Sequence, residues 1–101
     1  MSALPVLEGA ENTVGAGILS SLQPANVRLR RAIREVETMV NHPRYPLVFD
    51  PQTAGGLLAS VAAHHADACV RELIALGYSQ TRIIGAIHPK GDSLEPITLL
   101  H

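Results

Sequence analysis

The feature that most constrains this chain is a connection too short to cross a sheet. Residues 50–56, Asp-Pro-Gln-Thr-Ala-Gly-Gly, separate two apolar runs, Leu47-Val48-Phe49 and Leu57-Leu58-Ala59. A parallel crossover needs roughly a dozen residues or more. If residues 45–49 and 57–61 are neighbouring strands, they must therefore run antiparallel with this loop at one end.

The rest of the chain is read around that pair. Residues 10–19 suit a helix of small side chains, with Gly15 and Gly17 weakening it. Pro24 suits a first helical turn. Leu29, Ala32, Ile33, Val36 and Val40 then share a face at helical spacing, which predicts a helix over 24–40. Pro43 stops it by disfavouring helical geometry at His42. A second amphipathic helix is expected over 62–76, with Ala66, Cys69, Val70, Leu73 and Ile74 on its apolar side. Gly77 is its stop, with Tyr78 folding back on the last turn. Residues 82–88 and 96–100 read as two more strands around the turn-like Pro89-Lys90-Gly91-Asp92-Ser93. The expected fold class is α+β (mixed α/β layers): a largely antiparallel sheet packed by two or three helices.

The loop also carries chemistry. Pro51 fixes its own backbone, and Gly55-Gly56 tolerate positive φ. Amides from Thr53 to Gly56 could form a concave nest for an anion, with the Thr53 hydroxyl as a further donor. Asp50 could accept backbone hydrogen bonds that shape the bend. The alternative is a tight self-bonded turn, which composition alone favours. A Walker loop is excluded, because no Gly-Lys-Ser/Thr follows and no helix is expected directly after the glycines.

Composition narrows the partners. Of 101 residues, 47% are apolar and 17% charged, so a packed core is expected rather than disorder. With Phe49, Tyr45 and Tyr78 the only aromatics, that core should consist of Leu, Ile, Val and Ala. A formal charge of −1 supplies no field for nucleic acid or an anionic membrane, and no apolar run approaches the ~20 residues of a membrane helix. The lone Cys69 fits a reducing compartment and MSALPVLEGAE lacks the pattern of a secretory signal, so a soluble, cytoplasmic chain is expected.

Asp50-Pro51-Gln52-Thr53-Ala54-Gly55-Gly56-Leu57-Leu58 closely resembles the DPQTSGGLL signature of the selenophosphate synthetases (selenide, water dikinases), with Ala54 where Ser is usual. Residues 4–10, LPVLEGA, are similar to that family's LPLLPGA segment. Residues 21–26 are similar to the loop ahead of its long helix, and Ile83-Ile84-Gly85 to a closing strand in which Ala86 replaces an acidic residue. The resemblance implies a C-terminal domain of the aminoimidazole ribonucleotide synthetase superfamily, in an enzyme that makes selenophosphate from selenide and ATP with magnesium. It implies that residues 1–101 are a single partial domain, starting after a DVTGFG-type segment and lacking the N-terminal catalytic domain with its reactive Cys or selenocysteine, Lys and metal-binding aspartates.

Neither Cys69 nor Lys90 matches those groups, so the chain alone should not catalyse or hold a cofactor tightly. The candidate nucleotide or phosphate contacts are Asp50, Gln52, Thr53, Gly55, Gly56 and Asn26, the last resembling a recurrent family Asn whose alternative role is hydrogen bonding at the helix start. The expected partners are the absent N-terminal domain and a second copy of the chain. A stand-alone binding or oligomerisation module is the competing reading.

Two further constellations stand apart. His65 and Cys69 are four apart on one helical face, a legitimate ligand spacing, but no second ligand pair is near in sequence, and no metal site is expected. Arg28, Arg30, Arg31 and Arg34 are the only basic cluster. They could greet a phosphate or an acidic domain, or form the solvated side of a helix moderated by Glu35 and Glu37.

Overall fold

The computed structural model describes residues 1–52 and 55–101. Among these, α1 spans Ala10–Gly15, α2 Gln23–Asn26 and α3 Ala63–Ala75. Three 3-10 helices lie between α2 and the loop, at Val27–Ala32, Val36–Thr38 and Pro46–Phe49.

Two of the α-helices end by the same device. At the end of α3, Gly77 adopts φ 101°, its amide donates to the Ile74 carbonyl at 3.0 Å, and Tyr78 N–H donates to Leu73 O at 3.0 Å. At the end of α1, Gly17 adopts φ 75°, with matching bonds from Gly17 to Val14 (2.9 Å) and from Ile18 to Thr13 (3.0 Å). Both are glycine-closed turns that satisfy the last free carbonyls of a helix. The stop at Gly77 was expected. The first helix ends earlier than the expected residue 19, because Gly17 closes it.

The antiparallel sheet is not formed. Among the described residues there is no β-strand, only an isolated parallel bridge between Ile33 and Ile97, so the expected α+β class and its likeness to the synthetase-superfamily domain are corrected to helices and loops. Pro46 explains residues 45–49. Its fixed φ presets a turn and its ring removes a ladder donor, and it opens the 3-10 helix Pro46–Phe49. Residues 57–61 and 82–88 belong to no element and pair with no strand among the described residues. Strand preference expresses packing against a cross-strand neighbour rather than an intrinsic backbone bias, and an apolar run alone supplies none.

The helix expected over 24–40 is also broken. Ile33 is extended (φ −102°, ψ 122°), and Glu35 takes φ 49°. A competing partner accounts for the break: Ile97 N–H donates to Ala32 O at 3.0 Å, and Arg34 N–H to Ile97 O at 2.8 Å. These are groups a continuous helix would have used internally.

The core is small and partly aromatic. Ile33, Met39, Tyr45 and Phe49 are buried, with Met1, Val27, Val36 and Leu99 packed against them. Tyr45 and Phe49 meet edge to face, with centroids 5.1 Å apart. The expectation of a purely aliphatic core is thus corrected: two of the three aromatics, at the two ends of one short 3-10 segment, supply its bulk.

Candidate functional site

The loop is built outward from α2. Gln23 is buried, and its Nε2 donates to the Pro46 carbonyl at 2.8 Å. One helical turn later, Asn26 Nδ2 donates to the Phe49 carbonyl at 3.1 Å. Two side-chain amides spaced three apart on α2 therefore hold both ends of the 3-10 helix that feeds the loop. The Phe49 carbonyl, at the C-terminal end of that helix, lacks an internal partner, and a buried one left unpaired costs about 1–3 kcal/mol.

Beyond Phe49 the chain turns outward. Asp50 is half-buried and extended (φ −66°, ψ 123°), its amide donating to Leu47 O at 3.2 Å. Its carboxylate accepts no hydrogen bond among the described residues, so the expected bend-shaping bonds are not made there. Gln52, Gly55 and Gly56 are exposed. A Cβ at Gly55 would land on Gln52 Oε1, whereas one at Gly56 would meet open space. Gly56 lies outside the left-handed region that the sequence would have allowed it. Thr53, the hydroxyl candidate, lies outside the described residues.

The structure thus brings Asn26 to the main chain directly before Asp50, gripping it at Phe49 rather than bonding at its own helix start. Sequence reasoning missed Gln23, whose only local signal is a polar residue directly before Pro24. It also missed Arg44. This guanidinium pairs with Glu11 Oε1 at 2.6 Å and donates to the carbonyls of Ser2 (2.9 Å) and Leu4 (2.8 Å). Its partners lie more than 30 positions away in sequence, so no local pattern could have shown them.

The remaining candidates do not converge on the loop. Cys69 is half-buried on α3, and among the described residues no three His, Cys, Asp or Glu side chains group as metal ligands. Glu95 has its carboxyl held below the usual carboxylate range. The chief cause is the Ser93 hydroxyl, donating at 2.7 Å, followed by its own backbone amide; slight desolvation opposes these, and Arg34 adds a minor pull. No helix among the described residues is long and apolar enough to cross a membrane.

Comparison with known proteins supplies the kinship. A selenide, water dikinase of Clostridioides difficile (strain 630) is 32% identical over 89 residues, covering 88% of this chain and 26% of that protein. Selenide, water dikinase 2 of Peptoclostridium acidaminophilum is 29% identical over 87 residues, covering 86% of this chain and 25% of that protein. No family model matches the chain, and no solved structure does. The chain spans about a quarter of the length of the curated relatives it matches.

Proposed function

We propose that this chain, a relative of the selenide, water dikinases, is the nucleotide-cleft part of the C-terminal domain of such an enzyme, one that makes selenophosphate from selenide and ATP in the cytoplasm. The observation that carries the reading is the likeness over 88% of the chain to one such protein. Its geometric support is the loop itself, fixed at its root by Gln23 and Asn26 and turned outward at Gln52, Gly55 and Gly56. The exposed main chain at Gly55 and Gly56, free of side chains, suits close approach of a phosphate supplied by a ligand shared with another domain.

Catalysis is not this chain's own work. Its partner in the reading is the N-terminal, nucleophile-bearing domain of the same enzyme. Magnesium is commonly held by one or two carboxylates plus substrate phosphates. No group of three acidic, His or Cys ligands forms among the described residues, so magnesium fits here as companion of the nucleotide phosphates, with Asp50 the nearest carboxylate to the loop. A second reading, an oligomerisation module, draws on Leu57 and Leu58, fully and 83% exposed directly after the loop.

The test is a titration of ATP with magnesium, followed by backbone amide shifts. Saturable shifts at Asp50, Gln52, Gly55 and Gly56 without ATP turnover are expected. Unmoved loop amides, with light scattering showing a stable dimer, would replace the cleft reading with the oligomerisation one.

A further inference from the structure

We propose that the groove beside the 3-10 helix Val27–Ala32 is a second anion site, taking a multivalent oxyanion of the oligophosphate class. The proposal goes beyond the loop reading and does not depend on it. The groove is open, about 820 Å³, and lined by Arg28, Arg30, Arg31 and Arg34, all exposed.

The state of these guanidiniums carries the argument. Glu35, Glu37 and Glu95 line the same groove, yet among the described residues the ion pair is Arg44 with Glu11, and none of the four arginines pairs with a carboxylate. The Arg34 guanidinium donates only to the Glu95 main-chain carbonyl, at 3.5 Å, among the described residues. The Glu95 carboxylate is taken up by the Ser93 hydroxyl at 2.7 Å. No side-chain hydrogen bond engages Arg28, Arg30 or Arg31 among the described residues.

Local geometry aligns them. In a 3-10 helix residues i and i+3 eclipse, about 6 Å apart along the axis, so Arg28 and Arg31 stand one above the other. The bridge that breaks the helix at Ile33 fixes Arg34 beside them. Guanidiniums bind phosphate oxygens through paired N–H donors. Several such forks along a groove favour an ion whose charges are also linked in a row over a single phosphate.

The experiment titrates inorganic tripolyphosphate into the full chain at constant ionic strength and follows amide shifts, with ATP and poly-glutamate as parallel arms. Saturable shifts confined to residues 28–37 and 95 are expected. Arg28→Gln and Arg31→Gln should each weaken binding about tenfold, the size of one lost charge-assisted bond, and Arg31→Lys should weaken it less. Equal affinity for tripolyphosphate and ATP identifies the phosphate chain as the recognised part; tighter ATP binding identifies a nucleotide as its source. Poly-glutamate binding as well as tripolyphosphate, or variants with unchanged affinity, would overturn the site. So would shifts at residues 50–56 with none at 28–37, an outcome that leaves the loop reading standing.

Discussion

Residues 23–50 and residues 57–88 are opposites. The second stretch contains α3, thirteen residues long and the most regular element, yet none of its residues is buried. The first is a run of short 3-10 turns with a break at Ile33, and it contains every buried residue among those described: Gln23, Ile33, Met39, Tyr45 and Phe49. Regularity and burial are therefore separate achievements. A helix can be closed by its own backbone and a glycine, whereas a core requires side chains brought together from several turns. A helix of ~12–15 residues is marginal in water without packing, so α3 depends on what covers Val70 and Leu73 as much as on its cap.

The largest expected effect tests where the core is. Phe49→Ala should destabilise by about 3–5 kcal/mol in urea unfolding, as removal of a buried aromatic does, while Leu57→Ala, fully exposed, should stay within about 0.5 kcal/mol. Equal costs would break the comparison.

Next comes Gln23→Ala, expected to cost about 1–2 kcal/mol by removing its hydrogen bond to the Pro46 carbonyl at a buried position. Gln23→Glu should fail to restore it, because a carboxylate cannot donate. Asn26→Asp should likewise release Phe49 O, read as faster hydrogen exchange through Pro46–Phe49.

Gly77→Ala forces a side chain into φ 101° and should cost about 1–2 kcal/mol, read as lost helicity by circular dichroism. Gly15→Ala, in ordinary helical geometry with open space around it, should instead be neutral or stabilising. Opposite signs at the two glycines sharpen the point that the cap, not the side chain, ends these helices.

The smallest effect is electrostatic. The depressed Glu95 carboxyl contributes stability that is present above the ordinary glutamate range and is lost as pH falls through its lower folded value. Ser93→Ala should move the Glu95 titration midpoint upward in carboxyl NMR. A midpoint unmoved by that change would remove Ser93 as the cause.

The legible parts of this chain were those whose cause lies within a few residues. Gly77 and Tyr78 announced their turn, the periodicity of Ala66, Cys69, Val70 and Leu73 announced α3, and the Asp50–Leu58 string announced the kinship that comparison with whole proteins supports. The sheet was misread because short apolar runs state a preference that a neighbour must fulfil, and Pro46 turned one run into a 3-10 helix. The helix over 24–40 was misread because Ile97, more than 60 positions away, took the hydrogen bonds at Ala32 and Arg34.

The sequence by itself determined the glycine stops, the α3 register and the family likeness, since each rests on backbone geometry or residue identity at short range. Only the tertiary structure decided that Gln23 and Asn26 would hold the root of the loop, that Arg44 would tie down the first residues, and that two aromatics would fill the core. Those contacts join positions more than twenty apart or depend on what surrounds them, and pairing across such distances depends on the path of the whole chain rather than on any local pattern.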